Sequence, residues 1–257
     1  MSNSQNLINS YNHKNFLIHH YHQVPSTNEL AIQLLKDRQI FANEIILSNI
    51  QTHGKGRLNR QWLSPLGNLY FSLIVDITMI NKSYHSSLPL MCSIAVNKII
   101  SDLGQNQFIV LNKWPNDLLI ENKKVCGILV ENLLNSHNQQ LAIIGVGINI
   151  NSHPQHTRFI ATNLSEYQIT VSNVDLLNKF LDEFNYFFEI WKKFGFKNLK
   201  KIWLEKSYQL NQEISINTTQ DPQQNYLTGI FDDIDELGNL ILLKDQQIFT
   251  ISVGDVS

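Results

Sequence analysis

The sequence predicts an α+β fold, a mixed, mainly antiparallel sheet packed with helices, followed by a small C-terminal β barrel. Between Phe108 and Ile150 several short runs of strand length are joined by connections too short for parallel crossovers. Leu88 to Leu103 and Val174 to Phe194 carry apolar residues at helical spacing. Beyond Ser207 the chain changes to short alternating runs separated by Asp, Gly and Asn turns, the pattern of a small barrel.

The elements follow in order. Met1 to Phe16 reads as a short polar lead, with neither the basic start nor the apolar stretch of a secretory signal. Ser26, Thr27, Asn28 and Glu29 open a helix whose Leu30, Leu34 and Leu35 share a face, and Ser26 with Glu29 fits a capping box. Glu44 to Ile50 and Leu69 to Ile77 are strands, with a polar, glycine-containing loop between them. The helix from Leu88 ends at Gly104. Phe108 to Leu111, Leu118 to Ile120, Val125 to Leu133 and Leu141 to Ile150 are strands, and Glu121 to Lys124 is a hairpin turn. A loop over His153 to Ser165 precedes the helix from Val174, and Asn198 to Glu205 continues as a second helix. The runs EISIN, YLTGIF, LILL and FTISV make the barrel, which places a boundary near Lys206 and divides the chain into residues 1–206 and 207–257.

Composition excludes several classes. The chain of 257 residues has 20 Lys and Arg against 22 Asp and Glu, so no excess charge marks a nucleic-acid or anionic-membrane surface. No apolar run reaches the ~18 residues of a membrane span. The two cysteines, Cys92 and Cys126, sit in apolar surroundings, as small buried residues do in a reducing compartment, and the expected location is cytoplasmic. His19, His20 and His22 cluster without a second ligand group at zinc spacing.

Three segments carry chemistry. Gly54-Lys55-Gly56-Arg57-Leu58-Asn59-Arg60 lets backbone amides turn toward an anion while Lys55, Arg57 and Arg60 supply positive charge. Asn59 stands where a dinucleotide fingerprint has its third glycine, and Lys55 is followed by glycine instead of the Ser or Thr of a phosphate-binding P-loop. A solvated basic turn and an anion-binding loop both fit; Trp62, just beyond, can close the loop over a ligand or pack in the core. Lys113-Trp114-Pro115-Asn116-Asp117 sets a cation and oxygen donors at a strand end, either as ligands for phosphate and Mg²⁺ or as a locally bonded turn. Lys124 enters an apolar strand and either snorkels or meets a charged ligand. In Gly145-Val146-Gly147-Ile148-Asn149 the glycines permit close approach and Asn149 offers a donor and an acceptor.

The segments QTHGKGRLNRQW (51–62), KWPNDLLIENKKVCGILVE (113–131) and GVGININ (145–151), with the Ser26-Thr27-Asn28 start, resemble the catalytic domain of biotin protein ligases, whose patterns are GRGRxGRxW, KWPND, KxxGILVE and GxGINxN. The resemblance runs from about Ser26 to the C-terminus. It implies a class II synthetase-like catalytic domain with an SH3-like barrel after it. The implied reaction has two steps: biotin and ATP give biotinyl-5′-adenylate and pyrophosphate, and a carrier-protein lysine then takes the biotinyl group as AMP leaves. Mg²⁺ would assist the first step.

By this resemblance Ser26, Thr27, Asn28 and Gln51 hold the biotin ring system, and Lys55, Gly56, Arg57 and Lys124 complete the biotin site at the carboxylate and α-phosphate. Lys124 and Arg57 are the implied catalytic residues, with Lys124 acting electrostatically. Gly54, Arg60, Trp62, Lys113, Asn116, Asp117 and Asn149 map to ATP, and Asp117 to the metal. The departures are Lys55 for an arginine, which keeps the charge and loses the bidentate fork, and Asn59 for a glycine, where asparagine still tolerates the left-handed region. Family members that also repress transcription carry a winged helix-turn-helix domain ahead of the Ser-Thr-Asn motif, and the 25 residues before Ser26 cannot hold one, so the expectation is a monofunctional ligase without DNA binding. The implied partner is a biotin carboxyl carrier protein, with no membrane, and homodimerisation through a sheet edge is implied by resemblance alone. Two rivals remain at this point: a lipoate or octanoate ligase of related fold, and a non-catalytic biotin sensor.

Overall fold

A computed structural model describes residues 6–135, 138–155, 159–218 and 226–256. The chain forms two compact units, residues 1–79 with 123–179, and residues 80–122 with 180–257.

In the first unit β1 (Leu7–His13) and β2 (Phe16–Val24) form a hairpin. Helix α1 (Thr27–Lys36) then crosses to β3 (Glu44–Gln51), which lies parallel to β2. Next come β4 (Leu69–Asp76), β7 (Lys123–Leu134) and β8 (Gln140–Ile148), all paired antiparallel, so the strand order here is β1-β2-β3-β4-β8-β7. Among these described strands the parallel pair, β2 with β3, is the one joined by a helix, which is why the sheet is mixed. Leu30, Ala31, Leu34 and Leu35 of α1 bury against Tyr21, Ile46, Ile74 and Ile143 on one face.

The second unit holds α2 (Leu88–Leu103), the hairpin β5 (Val110–Lys113) and β6 (Asp117–Ile120), the end of α3 (Asn173–Phe194), and α4 (Lys200–Leu204). After it come β9 (Glu213–Asn217), β10 (Tyr226–Ile234), β11 (Leu240–Lys244), β12 (Gln247–Ile251) and β13 (Asp255–Val256), an all-antiparallel sheet in the order β12-β11-β10-β9-β13. The Trp191 indole donates to Ser87 Oγ and the Trp203 indole to Ser93 Oγ, both at 2.9 Å, so these large rings reach the core with their polar atoms satisfied.

The fold class is the α+β arrangement expected. Three local readings need correction. The N-terminal lead is not only a polar extension: Leu7–His13 is a strand, unrecognised because it is a mostly exposed edge with little apolar alternation, and Lys14 turns it at φ 52°. The pre-helix strand β2 was also not anticipated. The capping box at α1 is half made: Ser26 Oγ accepts from the Glu29 amide at a long 3.5 Å, while the Glu29 carboxylate pairs with Lys55.

Candidate active site

On the α1 face of the first unit the register aligns Gly127 with Gly147 and Leu129 with Gly145 across β7 and β8, and Ser72 with Gly145 across β4 and β8. Glycines here remove side chains where other groups must approach. A Cβ on Gly127 would stand 2.9 Å from the Trp62 ring, and one on Gly147 would stand 2.5 Å from Trp62 Nε1. The indole therefore lies against the backbone of both strands. Its Nε1 is buried with no hydrogen-bond partner among the described residues. Lys124 Nζ stands 5.2 Å from the centroid of the same ring, a cation held over an aromatic face.

The N-terminus of α1 supplies the uncharged part of the site. Thr27 donates to Gln51 Oε1 through its amide at 2.8 Å and through its hydroxyl at 3.1 Å, and Gln51 Nε2 donates to Ser64 Oγ at 2.8 Å. Ser72 Oγ donates to Asn28 Oδ1, and Asn28 Nδ2 donates to Glu131 Oε2 at 2.7 Å. Ser72 Oγ also stands 2.8 Å from Thr27 Oγ1, and Ser26, Thr27, Asn28, Ser64 and Ser72 are all buried, so a continuous chain of polar groups runs from Glu131 to Ser64.

The glycine-rich segment is a closed hairpin: Gln51 faces Ser64, Lys55 faces Gln61, Trp62 N donates to Gly54 O at 2.8 Å and Gly56 N to Arg60 O at 2.7 Å. At its tip Leu58 and Asn59 take φ of 55° and 57°, which asparagine accommodates as expected. Arg57 and Gly56 are half-buried, Arg60 and Lys55 exposed, and Gly54 buried under Trp62 O and Ser64. Lys55 Nζ lies 2.5 Å from Glu29 Oε1, and its pKa is raised, first by this hydrogen bond and then by the negative charges of Glu29 and Glu131.

Asn149 closes β8. Its amide N donates to Val125 O at 2.9 Å, its Nδ2 donates to Thr162 O at 3.0 Å, and Thr162 N donates to Lys124 O at 2.9 Å, so Asn149 and Lys124 are tied to one strand end. Asn149 Oδ1 is buried without a partner among the described residues. Thr162 is held in turn by Glu166, which accepts from its hydroxyl at 2.6 Å.

Lys113, Asn116 and Asp117 belong to the second unit. Lys113 and Asp117 face each other across the β5–β6 hairpin, with Trp114, Pro115 and Asn116 as its turn, so the motif straddles a turn and not one strand end. Lys113 is buried with Nζ 5.8 Å from the centroid of the Tyr208 ring. The Trp114 indole donates to Gly238 O at 3.0 Å.

The structure thus gathers Ser26, Thr27, Asn28, Gln51, Gly54, Lys55, Gly56, Arg57, Arg60, Trp62, Lys124 and Asn149 in one unit, and Lys113, Asn116 and Asp117 in the other. Sequence reading missed Ser64, Ser72, Glu29 and Glu131 as members of the constellation. Glu131 ends the GILVE motif and was visible, but its partner lies 103 residues away. Among the described residues no three His, Cys, Asp or Glu side chains group as a metal cage. His19 instead bonds Ser10 at 2.9 Å and Glu44 at 2.6 Å, and His20 bonds Asn49 at 2.8 Å.

Residues 21–149 match the biotin/lipoate A/B protein ligase family, and residues 210–257 match the biotin protein ligase C terminal domain. The chain is 30% identical over 244 residues to the bifunctional ligase/repressor BirA of Bacillus subtilis (strain 168), covering 92% of this chain and 72% of that one. It is 27% identical over 228 residues to the biotin--[acetyl-CoA-carboxylase] ligase of Paracoccus denitrificans, covering 84% and 90%. The fold superimposes on the biotin protein ligase of Aquifex aeolicus in complex with biotin and ATP with a TM-score of 0.77 at 27% identity, covering 93% and 97%. A family model that spans half of the chain, and a second that accounts for its C-terminal sheet, leave one assignment: the chain belongs to the biotin/lipoate A/B protein ligase family and is one of its biotin protein ligases.

Proposed function

We infer that this chain is an ATP-dependent biotin protein ligase, forming biotinyl-5′-AMP and transferring biotin to a lysine of a biotin carboxyl carrier protein. One observation carries the reading: an uncharged hydrogen-bonding pocket at Thr27, Asn28 and Gln51 sits in the same compact unit as the cations Lys55 and Lys124 and the glycine-lined surface under Trp62. A neutral cyclic urea needs the first, and a carboxylate becoming a phosphoric anhydride needs the second.

In the first step a carboxylate oxygen of biotin bonds to the α-phosphorus of ATP and the bond to pyrophosphate breaks. Lys124, fixed over Trp62, supplies positive charge where charge develops on the acyl phosphate, and Arg57 and Lys55 from the hairpin add to it. In the second step the carrier lysine amine bonds to the acyl carbon, loses its proton and expels AMP. Trp62 and the Gln51 to Ser64 hairpin shield the reactive anhydride from water in between. Trp62 Nε1 and Asn149 Oδ1, a buried donor and a buried acceptor that the described residues leave open, are the kind of groups that a ligand satisfies. Lys113, Asn116 and Asp117 take nucleotide roles on the strength of their motif. Asp117, a carboxylate at the start of β6, is the donor type that suits Mg²⁺, which keeps several waters and is bound through one or two carboxylates and substrate phosphates; the ion would neutralise phosphate charge.

The division into a catalytic domain, residues 1–206, and a β-barrel domain, residues 207–257, belongs to the same proposal, as do a cytoplasmic location and a homodimer. No helix among the described residues is long and apolar enough to cross a membrane. The test is an adenylation assay with purified protein, ATP and either biotin, lipoate or octanoate, followed by addition of a biotin carboxyl carrier domain. Biotinyl adenylate and labelled carrier are expected. Lipoyl or octanoyl adenylate without biotinyl adenylate would overturn the substrate, and biotin binding without pyrophosphate release would leave a sensor.

A further inference from the structure

Glu131 has no role in any step above, yet it ends the buried polar chain. We infer that Glu131 is a positioning residue that sets the donor and acceptor polarity of the biotin pocket through Asn28. The inference rests on the ligase reading and deepens it.

Glu131 is half-buried on β7, two residue pairs along from the Leu129–Gly145 pair of β7 and β8 and so on the same face. A carboxylate can only accept, so the group that Asn28 turns toward Glu131 Oε2, 2.7 Å away, must be its NH₂. The amide oxygen must then face Ser72, which donates to it. At the other end the Thr27 amide occupies Gln51 Oε1 at 2.8 Å, so the Gln51 NH₂ faces Ser64. Both pocket amides are thereby locked in one orientation, and each keeps one further N–H for a ligand carbonyl.

An amide is nearly symmetric in shape, so sterics alone do not hold Asn28 this way round. A Cβ on Gly145 would stand 2.3 Å from Asn28 Oδ1, which shows that Asn28 fills a space shaped for it; without Glu131 it would turn in place and not leave. Such a turn presents an acceptor where a donor stood, the wrong partner for a urea oxygen. Recognition of the ring system would be lost while the cations that meet carboxylate and phosphate stay where they are.

The experiment measures binding of biotin, of dethiobiotin and of ATP to the full chain by calorimetry, with steady-state kinetics beside it. Glu131→Met, similar in length and unable to accept from an amide, is expected to weaken both cyclic ureas about tenfold or more. The KM for biotin rises in step, while kcat and the KM for ATP stay within about twofold. Glu131→Gln, which can turn its own oxygen toward Asn28, should restore biotin binding to within about threefold of wild type. Glu131→Asp keeps the charge but draws the acceptor back by one methylene and should give an intermediate loss; at a half-buried strand position it also serves if the methionine variant does not fold. Unchanged urea binding in the methionine or aspartate variant would overturn the role, and so would an equal loss for biotin and ATP. Failure of the wild-type chain to bind biotin would instead overturn the ligase reading itself.

Discussion

Lys124 shows how a residue acquires meaning from its surroundings. Alone, a lysine entering an apolar strand is a snorkelling side chain; here its amide donates to Ile160 O at 2.8 Å, its carbonyl accepts from Thr162, and its ammonium stands over Trp62. Side chain and backbone are both fixed, which is what a preorganised charge requires. Lys124→Ala is expected to lower the adenylation rate by roughly two to three orders of magnitude, the scale of losing one such group. Pyrophosphate release in single-turnover experiments measures it, and an unchanged rate would remove Lys124 from the chemistry. At this scale the sequence was legible wherever residues lay inside one contiguous motif. It was silent on Ser72 and Glu131, whose meaning depends on Asn28 lying 44 and 103 residues away.

At the scale of elements, the paired strands β7 and β8 work as a floor. Gly127 and Gly147 face each other, and the indole of Trp62 fills the place that two side chains would take. Gly147→Ala puts a methyl carbon 2.5 Å from Trp62 Nε1, so the ring must move. Weaker nucleotide and biotin binding, by about tenfold, and a shifted tryptophan emission are expected; wild-type affinities would mean that the ring position is immaterial. The segment after β8 is held by side-chain bonds of its own. The Glu166 pKa is lowered, first by the Thr162 hydroxyl and then by His153, which sits 2.8 Å from the carboxylate. A lowered carboxylate contributes its hold above the ordinary value of 4.5 and loses it as pH falls through the depressed folded value. Amide exchange around Thr162 should therefore quicken, relative to the global rate, as pH falls below the ordinary carboxylate value of 4.5, and Glu166→Gln should flatten that dependence. Element boundaries were legible where apolar residues recur at helical spacing and a glycine ends the run: α2 occupies Leu88–Leu103 as read, with Gly104 as its C-cap. They were illegible at β1, where an exposed edge leaves polar residues free of any pattern.

For the molecule as a whole, the consequential question is how the C-terminal sheet is joined to the rest of its compact unit, since a pattern of short alternating runs says nothing of what those runs pack against. The turn between β10 and β11 answers it. Gly238, at φ +87°, lies against Ser87; its carbonyl accepts from the Trp114 indole at 3.0 Å, and Leu237 O accepts from Ser86 Oγ at 2.7 Å. Lys197 and Glu236 add an exposed ion pair at 3.2 Å, worth little in water. Trp114, which stands inside the Lys113–Asp117 motif without a ligand role of its own, is thus the donor that ties the β5–β6 hairpin to the C-terminal sheet. Trp114→Phe keeps most of the ring and leaves the Gly238 carbonyl without that donor, which costs about 1–3 kcal/mol when the acceptor stays buried. For a chain of this size that lowers Tm by roughly 2–10 °C. If the turn also holds Lys113 and Asp117 in place, the KM for ATP should rise several-fold in the same variant while the Kd for biotin stays unchanged, because the residues proposed to hold biotin belong to the other unit. A lower Tm with an unaltered KM for ATP would confine Trp114 to stability, and an unaltered Tm would show that the sheet is held by its apolar contacts alone.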